Sequence, residues 1–184
     1  MCKSVIAIGF VITLFACEGN YKNVQKLSMA DNLPFAEGKG VNLKYTDSGK
    51  VVANLRAPEF EDYSNFGFPY REFPKGVELF FWKEGKLNTV VSDFGVQYGE
   101  TGMVDLRENV VLVTSDSLVL RAEQLYWDQN RQWVFTDQPY QITLKDGSVN
   151  NGASFDASQD FTTFISRNNK GVQLIDKNEL ENDE

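Results

Sequence analysis

The sequence predicts an all-β fold of antiparallel strands, and three observations carry that prediction. Beyond Gly40, apolar residues alternate with polar ones through most of the chain, the mark of half-buried strands. Nearly every gap between alternating stretches contains Gly, Asp, Asn or Pro, residues that favour turns for separate steric reasons. No stretch sustains the period of an amphipathic helix.

The elements follow in order. Val41, Leu43 and Tyr45 share one face of a first strand, Thr46 to Gly49 supply a turn, and Val51, Ala53, Leu55 and Ala57 share a face of the returning strand. Pro58, Pro69 and Pro74 then punctuate an aromatic-rich connection. GVELFFW and KLNTVVSDFGVQY form a second hairpin about the turn KEG. VDLRENVVLV, SLVLRAEQLYW, QWVFT and PYQITL follow as strands, then KDG as a turn, then SVNNGASF and DFTTFISR. Within SVNNGASF, Gly152 marks a bulge or a close approach of backbones. There is an internal echo: Leu55-Arg56-Ala57 recurs as Leu120-Arg121-Ala122, and GVELFFWKEGK resembles PYQITLKDGS. Two stacked hairpin units would give that echo, and so would chance similarity among amphipathic strands.

The chain opens differently. After Lys3, an apolar run from Val5 to Phe15 is broken only by Gly9 and Thr13, about half of the roughly 20 residues a helix needs to cross a bilayer. A cationic start, a short apolar centre and small residues before a cut describe a secretory signal over residues 1–16. Leu14-Phe15-Ala16-Cys17 fits the lipobox of bacterial lipoproteins, whose cysteine receives a diacylglycerol and becomes the first mature residue. Cys17 is therefore the expected lipidation site, and its acyl chains the expected membrane anchor. With Cys2 lost in the signal, no disulfide is expected. Residues 17–40 read as a lipidated N-terminus and flexible tether with an r.m.s. reach of roughly 25 Å. The folded domain is expected over 41–175, and residues 176–184, DKNELENDE, form an acidic tail.

Composition removes several function classes. The formal charge of −8 becomes −9 once Lys3 leaves with the signal, which argues against nucleic acid, whose affinity comes from neutralised phosphates. The sequence contains 0 His, so imidazole metal sites and Ser-His or Cys-His catalysis are unavailable to it. Glu59, Glu61 and Asp62, or Asp156 and Asp160, lack the spacing of an oxygen cage for Ca²⁺ and read as solvated turns and strand ends. No catalytic residue, metal or cofactor is expected.

The run LRENVVLVTSDSLVLRAEQLYWD, Leu106 to Asp128, followed by WVFTDQPYQITLKDGSVNNGASFDASQD, resembles the OstA-type segment shared by lipopolysaccharide transport proteins. From Val41 onward the chain is similar to the LptC branch. The strongest pieces are Glu108-Asn109-Val110, Leu125-Tyr126-Trp127-Asp128, Thr136-Asp137-Gln138-Pro139 and Gly152 to Asp160. The resemblance implies a twisted, V-shaped β-jelly roll with an apolar groove, which is not an enzyme. It would sit in the periplasm of a Gram-negative bacterium beside the membrane subunits of the Lpt ABC transporter of the inner membrane. There it would take lipopolysaccharide and pass it to a periplasmic OstA/LptA-like bridge protein docked by its strand edge. Better-known members carry an uncleaved transmembrane helix where this chain has a lipobox, so inner and outer membrane both stay open for the anchor.

Groove residues follow from alternation. Val110 and Leu112 share a face, as do Leu118, Leu120 and Ala122, and likewise Tyr140, Ile142 and Leu144. These eight are the candidates for acyl contact, and the dry core of a sandwich is the alternative use of the same stripe. Gly152 matches a glycine that the family places after its last turn. Two other readings remain beside the carrier: a scaffold lipoprotein with a sealed β core that binds protein partners, and an envelope hydrolase, for which no nucleophile-base pair is visible.

Overall fold

The computed structural model describes residues 33–174, apart from residue 84 and the side chain of Lys83. The signal, Cys17, the first part of the expected tether and the acidic tail lie outside the described residues.

Two long hairpins organise the domain. The first is β1 (Ala36–Asp47) with β2 (Lys50–Tyr63), followed by β3 (Tyr70–Phe73), β4 (Val77–Lys83), β5 (Lys86–Ser92) and β6 (Phe94–Tyr98). The second is β7 (Met103–Val113) with β8 (Val119–Asp128), followed by β9 (Trp133–Thr136), β10 (Tyr140–Thr143), β11 (Val149–Gly152) and β12 (Ser154–Ser158). β13 (Phe164–Arg167) and β14 (Lys170–Val172) complete the described strands. All pair antiparallel in one hydrogen-bonded network, and no helix occurs among the described residues. The fold is the expected all-β jelly roll.

Each long hairpin serves two layers. One half of β2 pairs with β4 and the other with β3; one half of β8 pairs with β10 and the other with β9. β4 continues to β5 and β3 to β6, and both β5 and β6 rejoin at β7. In the same way β10 continues to β11 and then β14, while β9 continues to β12 and then β13. Strand for strand, the pairing of β1–β6 recurs in β7–β12, and β13 with β14 takes the place of a third long strand. The sequence echo is therefore a structural repeat. Leu55 lies opposite Leu43 and Ala57 opposite Val41, just as Leu120 lies opposite Leu112 and Ala122 opposite Val110.

The strands change layer at residues with left-handed backbone. Gly40 (φ 61°) interrupts β1, Glu108 and Asn109 (φ 63° and 51°) form a bulge in β7, and Asn168 (φ 51°) separates β13 from β14. These sites coincide in the repeat, since Val41 and Val110 occupy one register position and Gly40 and Asn109 precede them. Glycine and asparagine enter this region at least cost, and a bulge sharpens the local twist. The chain thus turns inward faces toward one another, and a single core from both layers fills the space between, including Phe73, Leu106, Leu125 and Phe155.

Several expectations about boundaries are corrected. β1 begins at Ala36, so residues 36–40 of the expected tether are strand. Pro58 ends no strand: β2 runs through it to Tyr63, because it sits opposite Gly40, where the ladder is already interrupted and no proline N–H is needed. The aromatic connection also contains β3. SVNNGASF is split at Ala153 into β11 and β12, and β14 had no counterpart in the sequence reading.

The shared left-handed position gives a test. Asn109→Gly should change stability by no more than about 0.5 kcal/mol, whereas Asn109→Val should lower it by about 1–2 kcal/mol. Denaturant midpoints for the two variants check this; equal midpoints would mean that the bend tolerates any side chain.

Candidate functional site

The interior of the jelly roll is the candidate site, and one cross-strand row defines it. Leu43, Leu55, Leu79, Val90, Leu112, Leu120 and Ile142 lie opposite one another in turn across β1, β2, β4, β5, β7, β8 and β10. At about 4.8 Å between strands, this apolar ribbon is roughly 29 Å long. Its exposure is graded. Leu43 is 40% exposed, Leu55 and Leu79 are half-buried, and Val90, Leu112, Leu120 and Ile142 are buried.

A second row, Val110–Ala122–Tyr140–Gly152, runs beside the sealed end of the ribbon. Six of the eight groove candidates, Val110, Leu112, Leu120, Ala122, Tyr140 and Ile142, thus meet on one inward face, all buried. Leu118 is partly buried against the same core. Leu144 is 46% exposed; with Leu118, Asp116, Lys145 and Asp146 it lines a shallow surface cleft at the hairpin ends. The accessible inward residues, Leu43, Tyr45, Leu55 and Leu79, belong to the first repeat, and the candidates were all drawn from the second. Alternation in VNLKY and KVVANLRA carried that signal too, but it reports a face and not its openness.

Gly152 is explained by close approach. It lies opposite Tyr140, and a Cβ on it would fall 2.5 Å from Tyr140 Cε1 and 2.7 Å from the hydroxyl oxygen. The ring is also held by an edge contact with Phe155, centroids 4.9 Å apart, and its hydroxyl donates to Ser166 Oγ at 2.6 Å. It cannot swing aside.

The acidic groups have local structural partners. Glu59 accepts from Lys75 Nζ at 2.8 Å, a hydrogen bond that lowers its pKa. Burial works to raise Asp62, but hydrogen bonds from Ser64 and Arg71 outweigh it and leave the carboxyl below its ordinary value. Asp156 pairs with Arg167 at 2.6 Å. No group of three or more possible ligands that could hold a metal occurs among the described residues. The sequence reading missed one polar cluster on the outward face, where buried Asp105 accepts from Arg107 Nε at 2.9 Å and Gln124 Nε2 at 2.8 Å. Gln124 also donates to the Tyr126 hydroxyl at 2.7 Å, so the cluster ties β7 to β8. Its arrangement is that of a satisfied ion pair, with no unpaired base or nucleophile.

The family model described as lipopolysaccharide-assembly, LptC-related, matches residues 5–164. The chain belongs to that family, and so to the apparatus of lipopolysaccharide transport. A comparison with curated proteins gave no match.

Close packing at Gly152 predicts that Gly152→Ala will destabilise the domain by about 1–3 kcal/mol, the usual cost of overpacking. Pairing it with Tyr140→Phe, which leaves the ring in place, should rescue little, whereas Tyr140→Leu should recover much of the loss. Thermal or denaturant unfolding of the three variants measures this; a neutral Gly152→Ala would remove the close-approach explanation.

Proposed function

We propose, from the premise of LptC-family membership, that this protein is a non-enzymatic lipid carrier. It takes lipopolysaccharide from the membrane subunits of the Lpt ABC transporter in the inner membrane, holds the acyl chains on its inner ribbon, and passes them to an OstA/LptA-like periplasmic jelly roll. The observation that carries this reading is the grading of the ribbon, exposed at Leu43 and sealed at Leu120. An acyl chain laid on the exposed end covers Leu43, Leu55 and Leu79, gaining about 25 cal/mol for each Å² removed from water. As the layers part, the same chain reaches Leu112, Leu120 and Ile142, then Val110, Ala122 and Tyr140 beside them, with Leu118 and Leu144 at the hairpin ends.

The repeat supports the handover. Among the described residues β1 pairs only with β2, β13 only with β12 and β14 only with β11, so β1 leaves an open edge at one end of the network and β13 and β14 leave open edges at the other. A second jelly roll at the β13–β14 edge would continue the pattern by which β7 already receives β8, which is strand addition with the register set by the repeat. Attachment to the membrane belongs to Cys17 in this reading, with the signal 1–16 removed, the residues before β1 as the tether and the mature domain facing the periplasm.

A photo-crosslinking side chain tests the carrier role in cells. At inward Leu55 or Ile142 it should capture lipopolysaccharide; at Arg56 or Gln141, which point to the opposite face, it should not. Capture at neither inward position, in a protein shown to be folded and exported, would leave a sealed scaffold that binds proteins alone.

The anchor has its own test. A palmitate analogue should label the wild type, and Cys17→Ala should abolish the label and release or mislocalise the protein. A label that survives in the variant would reject Cys17 as the lipidation site.

A further inference from the structure

The hairpins of the first repeat project beyond those of the second. Past the ribbon, β4–β5 stays paired to Lys83 and Lys86, and β1–β2 to Asp47 and Lys50. In their counterparts in the second repeat the last cross-strand hydrogen bonds are those from Thr114 N–H to the Leu118 carbonyl and from Leu144 N–H to the Ser148 carbonyl. The excess of about two residues is roughly 7 Å of strand at about 3.3 Å per residue. β1, β2, β4 and β5 are neighbours in the network, so the excess forms one four-stranded blade.

This blade is apolar in the wrong places for a solvated tip. Trp82 and Leu87 lie opposite each other on its outward face and are 36% and 43% exposed; Val52 is also exposed, as are Tyr45 and Val51. Neither the core nor the ribbon uses Trp82 or Leu87. Charge is distributed just as unevenly. Of the eight lysines between residues 33 and 174, five (Lys44, Lys50, Lys83, Lys86 and Lys145) lie at this end of the sheet. The acids described there are Asp47, Asp116 and Asp146, and the turn sequence between β4 and β5 adds Glu84, so this end is slightly basic, whereas the rest of the same span of sequence has 9 basic against 15 acidic residues.

We infer that the blade is a membrane-contact element, in which Trp82 and Leu87 enter the headgroup boundary of an anionic phospholipid bilayer while the surrounding lysines stay at the level of the phosphates. Tryptophan suits that boundary because its ring is apolar and its N–H polar, and lysine can bury its stem while its ammonium remains in water. Anionic lipid attracts a cluster of lysines that the acidic remainder of the domain would otherwise hold away. A protruding tip with apolar residues on both faces fits a fluid surface, which closes around it, better than a flat protein face, which could cover only one side. The consequence goes beyond the carrier role: Leu43 and Leu55, the open end of the ribbon, lie on the blade's own strands, so seating the blade brings that end to the bilayer surface.

The test uses the full-length protein reconstituted in vesicles of phosphatidylcholine with about a quarter phosphatidylglycerol, in which the phosphatidylcholine acyl chains carry bromine, a contact quencher of indole fluorescence. Trp emission should be quenched relative to unbrominated vesicles, and Trp82→Phe should remove most of the quenching, leaving Trp127 and Trp133 unaffected. Lys50→Gln with Lys86→Gln, or about 0.5 M salt, should reduce the quenching at least twofold, with far-UV circular dichroism unchanged. Quenching that is unaltered by Trp82→Phe, or equal in vesicles of phosphatidylcholine alone, would overturn the inference. So would a photo-crosslinker at position 82 that captures a protein in cells and no phospholipid. Capture of lipopolysaccharide at Leu55 is a separate result and stands or falls independently.

Discussion

A strand that must serve two layers has to turn its side chains without giving up its ladder, and the left-handed residues in β1, β7 and the β13–β14 segment meet that constraint. At Gly40, Asn109 and Asn168 the backbone enters a region where most side chains clash with the following carbonyl. The reversal lets Ala57 face the core from one layer while Phe60, three residues on, meets Phe73 from the other, ring centroids 5.9 Å apart. Without it each long hairpin would be a flat ribbon with one dry face and nothing to lay it against.

Once the bend is fixed, packing between the layers can vary. In the first repeat Phe73 lies opposite Gly95, and Val77 opposite Ser92. At the corresponding places in the second, Thr136 lies opposite Phe155, and Tyr140 opposite Gly152. The first of these pairs exchanges its large member between strands, while the second enlarges one side and shrinks the other to glycine. A core has to be filled to native density at each place, and the second repeat fills these places with larger pairs while the sequence diverges. That is why the echo survives at the register-setting Leu-Arg-Ala triplets and fades where side chains only have to fill space.

Much of this was legible from alternation. VNLKY, KVVANLRA, SLVLRAEQLYW and PYQITL each declare a face because their polar neighbours point to water. Beyond Pro58 the signal fails for a definite reason: Phe60 faces inward while Tyr63 stacks on Tyr70 on the outward face, so both sides are apolar and the period of two is erased. LFFW, NTVVS and NVVLV blur in the same way, since Trp82, Val91 and Val113 are exposed opposites of a buried face. Strand β14 carries no signal at all. Its three residues are exposed, and it pairs because the repeat leaves β11 with a vacant edge. For the candidate site, the period places Leu120 and Ile142 on the inward face, but openness depends on how far apart the layers stand, a tertiary quantity that no single strand encodes. Cys17 was read from a motif, and its position lies outside the described residues.

The division between a sealed and an open half bears on how a carrier of this kind would load. Displacing a buried Leu120 or Ile142 from its neighbours forfeits about 1.5–3 kcal/mol per side chain before any ligand contact is made. Leu43, Leu55 and Leu79 are only partly withdrawn from water, so an acyl chain arriving there adds burial and breaks little. Filling would then begin in the first repeat and advance by exchanging one apolar contact for another, a sequence of small steps with no large one. At the far end the inner row runs out into Asn150 and Gly171, where polar and glycine positions replace the leucines. In such a carrier, a chain advancing along the ribbon would meet its weakest contacts at the edge where the next jelly roll would dock. The open end would admit the lipid and the polar end of the row would loosen its hold, so direction would follow from composition without any change of fold.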